Sequence, residues 1–127
     1  MSNVITVDTV GEGTHQMSVR DIEVTAGSSV LLSCRTSPLT DVVHAEWDFH
    51  RHYVGKPIRI YDGSGIDPEH DNKYDIRCNL SLSICDLRIN RLEDSDTGQY
   101  QCYLVKDNTA LKFIYRLTVI GKFKFMC

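Results

Sequence analysis

The segment Asp94-Ser95-Asp96-Thr97-Gly98-Gln99-Tyr100-Gln101-Cys102 decides the fold of this chain. Its first half is typical of a turn, and its second half begins an alternation in which Tyr100, Cys102 and Leu104 are expected to point to one side. Such alternation is typical of a half-buried β-strand. It recurs, between clusters of turn residues, at 30–34, 74–78, 87–90 and 115–119. Because no long stretch has apolar residues at helical spacing, the sequence predicts an all-β domain.

The composition is that of one globular domain. The chain has 127 residues, 42% hydrophobic and 24% charged, and this length suits a single core. A formal net charge of −3 argues against nucleic-acid binding, which requires a basic surface. No run of about 18 apolar residues is present, so no membrane span is expected. The first ten residues lack the basic and apolar regions of a signal peptide, which suggests a domain taken from a longer, membrane-anchored protein.

The spacing of cysteine and tryptophan sharpens the prediction. Trp47 follows Cys34 by 13 residues and precedes Cys102 by 55, and Tyr100 occupies the tyrosine-corner position two residues before Cys102. With these residues the chain resembles the V-set domains of the immunoglobulin superfamily, from about residue 22 to residue 119. The motif residues that carry the resemblance are Cys34, Trp47, Leu87, Ile89, Leu92, Asp96, Gly98, Tyr100 and Cys102.

Within that family, the adhesion group is the most similar. The similarity is carried by Glu46-Trp47, by Ile60-Tyr61-Asp62-Gly63 and by 99–102. The group contains the junctional adhesion molecules and the coxsackievirus and adenovirus receptor. One departure separates the chain from antigen-receptor V domains, because 111–116 contains no glycine where those domains have a glycine bulge.

The resemblance implies an immunoglobulin V-set two-sheet Greek-key sandwich. A disulfide between Cys34 and Cys102 would join the two sheets and contribute about 4.4 kcal/mol in the chain-entropy model. The core hallmarks that carry over are Trp47, Tyr100, Asp96 and Lys73, with Lys73 paired to Asp96 where most members have arginine. The Tyr100 hydroxyl is expected to bond the backbone at 92–94.

The other three cysteines leave alternatives open. Cys78 and Cys85 are expected to face each other near a turn, where they form either a disulfide or two buried thiols. Cys127, in the tail, either pairs with another chain or a following domain, or is a free thiol. Between Cys78 and Cys85 lies Asn79-Leu80-Ser81, a candidate glycosylation sequon.

No catalytic residue, metal site or cofactor is expected. Gly63-Ser64-Gly65 lacks the nucleophile elbow of a hydrolase. His50 and His52 have no third ligand placed by spacing, and the acidic stretch 67–71 lacks the glycine and final glutamate of a calcium loop.

The expected function is protein recognition outside the cell, in adhesion or immunity. The expected domain division is an N-terminal segment with strand A at 1–21, the V-set domain at 22–120 and a tail at 121–127.

V-set domains of the resembled group bind partners, often copies of themselves, through the face of strands C, C′, F and G. By alternation, we expect this face to carry Glu46, Asp48, Ile58, Arg59, Gln101, Tyr103, Ile114 and Arg116. The alternatives are a plain solvated face, or an innate or antigen-receptor-like domain that binds foreign ligands with end loops, above all the F–G loop 106–112.

Overall fold

The computed structural model describes residues 5–10, 13–36, 42–51, 56–66, 72–106 and 109–121, with side chains from Met17 onward. The predictions made for His52, for the stretch 67–71 and for Cys127 lie outside these residues.

The described residues form nine β-strands in two sheets. The strands are β1 (Ile5–Val10), β2 (Gly13–Thr25), β3 (Val30–Leu32), β4 (His44–Arg51), β5 (Ile58–Tyr61), β6 (Tyr74–Asn79), β7 (Ile84–Ile89), β8 (Gly98–Lys106) and β9 (Thr109–Ile120). The larger sheet has the order β1-β2-β9-β8-β4-β5, and the smaller has the order β3-β7-β6. Short 3-10 turns at Leu80–Leu82 and Asp94–Asp96 follow β6 and precede β8. The all-β, two-sheet prediction is confirmed.

The core lies between the sheets and is built around aromatic rings. Trp47 on β4 and Tyr100 on β8 are both fully buried. The ring of Tyr100 stacks on Phe49 with centroids 4.4 Å apart, and Trp47 stacks on Tyr115 at 6.3 Å. Aliphatic residues and cysteines from both sheets complete the core, among them Leu32, Cys34, Ile60, Leu87, Ile89, Leu92, Cys102, Leu104 and Leu117. Large apolar surface is thereby removed from water, which is the main stabilising term.

The N-terminal strands extend the larger sheet beyond what the sequence predicted. β2 runs parallel to β9 over twelve residue pairs, from Thr14 opposite Thr109 to Thr25 opposite Ile120. β1 folds back antiparallel on β2 and forms the edge of the sheet. β2 passes without interruption through the domain boundary drawn after residue 21.

Strands β8 and β9 form a long hairpin with a short connection. Their pairing extends to Lys106 opposite Thr109, so only two residues separate the strands. The F–G loop expected at 106–112 is therefore wrong in extent, since 109–112 belong to β9. In the described part of the chain, no helix is long and apolar enough to cross a membrane.

Candidate recognition surface

The side of the larger sheet that faces away from the smaller sheet is called the outer face here. Pairing across the strands arranges its side chains in rows of directly opposite residues. The central row runs Arg59, Asp48, Gln101, Ile114, Val19. The rows on either side run Glu46, Tyr103, Lys112, Met17 and His50, Gln99, Arg116, Asp21. Seven of the eight residues predicted for this face, all but Ile58, lie on it, and two of them, Asp48 and Ile114, are mostly buried there.

Three charged side chains at one end of the outer face form a network. The Arg59 guanidinium hydrogen-bonds Asp48 and lies 3.3 Å from Glu46, which also contacts His44 at 3.0 Å. Asp48 is only 9% exposed. Desolvation raises its pKa above the ordinary 3.8, and this effect outweighs the opposing attraction of Arg59. Because Arg59 itself is half exposed, the network fixes the positions of these side chains more than it stabilises the fold.

Tyr103 and Lys112 form the centre of the neighbouring row. The Lys112 ammonium lies 5.3 Å from the centroid of the Tyr103 ring, which is a cation–π contact. Both side chains are partly exposed. An aromatic ring with a cation on it, at the middle of a sheet face, is a composition that protein interfaces favour.

Ile114 lies on the outer face but is covered there by its neighbours. Its side chain leaves the core by alternation, but it is only 8% exposed, as is Val19 opposite it. Alternation predicts which side of the sheet a residue faces, but not which residues pack beside it. Strand β9 is central, with β2 on one side and β8 on the other. Ile114 therefore packs beneath its neighbours on the outer face. Arg116, two residues along β9, is half exposed, with its guanidinium 3.9 Å from the Asp21 carboxylate.

The placement of Ile58 on the outer face is wrong. Ile58 lies opposite Phe49, a core residue, whereas its neighbour Arg59 lies opposite Asp48. Adjacent strand residues point to opposite sides, so Ile58 and Arg59 cannot share a face. Ile58 is 44% exposed but points to the side of the core.

The structure contains both disulfides considered from the sequence. Cys34 and Cys102 are joined across the two sheets, with their Cα atoms 6.3 Å apart. Cys78 and Cys85 lie directly opposite each other on β6 and β7 and are also bonded. Of the alternatives left open for this pair, the structure has the disulfide rather than two thiols.

The corner before β8 joins Lys73, Asp96 and Tyr100. The Lys73 ammonium lies 2.7 Å from the Asp96 carboxylate, which also accepts a hydrogen bond from the Glu93 backbone. The Tyr100 hydroxyl donates to the Asp96 carbonyl at 2.7 Å, not to the backbone at 92–94 as predicted. Burial raises the pKa of Tyr100 and raises that of Tyr74 to about 12, so both hydroxyls stay protonated.

Asp86 is a buried residue that the sequence analysis missed. It is 3% exposed, and its carboxylate accepts the Cys34 backbone N–H at 2.9 Å. The Cys85 carbonyl accepts the Trp47 indole N–H at 2.8 Å instead. Because the Cys85 carbonyl accepts from Trp47, the Cys34 N–H donates to the Asp86 carboxylate instead. An aspartate within a strand carries no sequence signal for such a role.

No group of three or more His, Cys, Asp or Glu side chains is placed to hold an ion within the part of the chain that the structure describes.

A family comparison agrees with this architecture. The model of the immunoglobulin V-set domain matches residues 18–120. The chain belongs to the immunoglobulin V-set family. This confirms the resemblance drawn from the cysteine, tryptophan and tyrosine spacing. No curated protein sequence matches the chain.

Solved structures similar to this V-set domain include Tim-2 and Tim-1. Tim-2 is 21% identical with a TM-score of 0.66, and Tim-1 is 17% identical with a TM-score of 0.63. Each similarity covers 84% of this chain and 96% of the other. As 1972 chains of solved structures match and one fold serves many functions, the likeness shows the fold alone.

Proposed function

We propose that this V-set domain acts outside the cell, at the cell surface, as a recognition module that binds a second copy of itself through the outer face. The observation that carries the proposal is the row Glu46, Tyr103, Lys112, in which an acid, an aromatic ring and a base stand side by side. Two disulfides are typical of proteins that work in an oxidising compartment, which supports the extracellular location.

The order of charges in this row suits a two-fold interface. In such an interface each copy presents the same surface to the other. A two-fold axis that is parallel to the strands and passes over Tyr103 brings Lys112 of one copy opposite Glu46 of the other. The two tyrosine rings then meet at the axis and supply apolar contact, while the charges fix the orientation of docking.

The short β8–β9 connection favours the outer face over the end loops. An antigen-receptor-like domain would present its F–G loop to a ligand, yet here two residues separate β8 from β9. The residues that were expected to extend that loop instead pair in the hairpin, and Lys112 among them contributes to the outer face.

Sedimentation across concentration tests self-association. We expect the oxidised chain to form dimers in the micromolar range, with an interface of about 800 Å² on each partner. Tyr103→Ala should weaken the dimer about tenfold, since truncation of a central aromatic residue costs more than about 1 kcal/mol. Arg88→Ala is the matched control, because Arg88 is exposed on β7 in the smaller sheet, and it should change nothing.

A double-mutant cycle tests the docking geometry. If Lys112 faces Glu46 of the other copy, the losses from Glu46→Gln and Lys112→Gln should be smaller together than their sum. Additive losses would reject the proposed axis. A wild-type chain that stays monomeric at high micromolar concentration would reject self-recognition itself.

A further inference from the structure

Asn79 ends strand β6 at the start of the turn that leads to β7. Its side chain is exposed, and the sequence that follows, Leu80-Ser81, completes an acceptor sequon for N-linked sugar. We infer that Asn79 is a site of N-glycosylation, modified with an oligosaccharide on its side-chain nitrogen. This inference rests on passage through the secretory pathway and does not require self-association.

The local geometry prepares the Asn79 amide for modification. The Ser81 hydroxyl donates a hydrogen bond to the Asn79 side-chain oxygen at 2.7 Å. A donor at the carbonyl oxygen draws electron density from the amide, which makes the N–H protons more acidic. The side-chain nitrogen makes no hydrogen bond to any described residue, so it is open to the incoming sugar.

The transfer requires an activated sugar as co-reactant. The donor class is an oligosaccharide joined through pyrophosphate to a membrane lipid. A bond forms between the Asn79 side-chain nitrogen and the first carbon of the sugar, and the bond from that carbon to the pyrophosphate oxygen breaks. The nitrogen gives up one proton to a base of the transferase, and the lipid pyrophosphate leaves with the electron pair.

The position of Asn79 leaves the outer face free. Asn79 belongs to the smaller sheet, whereas the outer face belongs to the larger one. In the adjacent 3-10 turn, Leu82 is 53% exposed, which is a large apolar side chain in contact with water. A glycan at Asn79 would shield this end of the smaller sheet and direct association to the opposite side of the domain.

The test is expression of the whole chain behind a cleavable leader in mammalian cells. The secreted and cell-associated protein should lose mass on treatment with peptide N-glycosidase, and residue 79 should be converted to aspartate. Asn79→Gln and Ser81→Ala should abolish the shift, whereas Ser81→Thr should retain it. Asn90→Gln is the control, because Asn90-Arg91-Leu92 is no sequon, and it should leave the shift intact.

Two results separate this inference from self-recognition. A wild-type chain that reaches the medium with both disulfides formed and without any glycosidase-sensitive mass overturns it, as does a shift that persists in Asn79→Gln. Deglycosylated protein can be sedimented separately, so a monomer would reject self-association without bearing on the glycan.

Discussion

Replacement of Asp86 by alanine tests whether a side chain completes the hydrogen bonding around the inter-sheet disulfide. Cys34 is fully buried, and its backbone N–H has the Asp86 carboxylate as its partner at 2.9 Å. Cys34 and Cys85 exchange only one backbone hydrogen bond, from the Cys85 N–H to the Cys34 carbonyl at 2.8 Å. The Cys85 carbonyl accepts the Trp47 indole N–H instead. Without Asp86, the Cys34 N–H loses this partner in the core.

The expected magnitude follows from that lost partner. A buried donor left without an acceptor costs about 1–3 kcal/mol, so Asp86→Ala should lower the free energy of unfolding by about that amount. Asp86→Asn keeps an acceptor oxygen of the same shape. Because a bond to a neutral acceptor is worth about 1 kcal/mol less than one to a carboxylate, Asn should be destabilising but milder than Ala.

Arg35 provides the matched control. Its guanidinium pairs with Asp86 at 2.7 Å; the Arg35 side chain is 56% exposed, whereas that of Asp86 is only 4% exposed. Removal of Arg35 takes away the counter-ion of a buried carboxylate but leaves the hydrogen bond to the Cys34 N–H in place. Arg35→Ala should therefore lower the urea midpoint of the oxidised protein less than Asp86→Ala does, at unchanged slope. If Arg35→Ala lowered the midpoint as much as Asp86→Ala, the ion pair and not the backbone hydrogen bond would be responsible, and the reasoning would fail.

Two further predictions concern Tyr100 and Asp48. Tyr100→Phe should cost about 1 kcal/mol in urea denaturation, because it removes the hydroxyl that donates to the buried Asp96 corner; an unchanged midpoint contradicts this role. Asp48→Asn should stabilise the protein at neutral pH, because the pKa of Asp48 is raised by desolvation and its charge therefore opposes folding above that pKa. The gain should shrink as the pH falls and the folded wild type takes up the proton. If the gain in stability instead grew as the pH fell, the pKa of Asp48 would be lowered in the folded protein, and the prediction would be wrong.

The sequence predicted the features of the fold that depend on local spacing. Alternation places Cys34 and Cys102 on the inner side of their strands, and the resemblance to V-set domains implies that they meet in the core near Trp47. Cys78 and Cys85 are opposite each other because the turn between them sets the register. Such features are settled within one strand or one hairpin.

The errors concern features that arise between distant segments. Ile114 is covered because β2, some hundred residues earlier, brings Val19 beside it, and no local pattern shows that parallel pairing. Ile58 is the exception, because alternation alone shows that Ile58 and Arg59 cannot both lie on the outer face. The register with β4 shows that Arg59 is the one that does. The partner of Tyr100 depends on the path of the 3-10 turn 94–96, which spacing does not fix.

The parallel pairing of β2 with β9 has a mechanical consequence. When a tether pulls the two ends of the domain apart, β1 can peel away from β2 one pair at a time, because an antiparallel hairpin opens like a zipper. The force then reaches the start of β2 and the end of β9, which lie at opposite ends of the parallel ladder and are drawn in opposite directions. The twelve pairs are loaded together in shear. Forced opening depends on the unfolding rate, and here the two strands can separate only after all twelve pairs have been broken together.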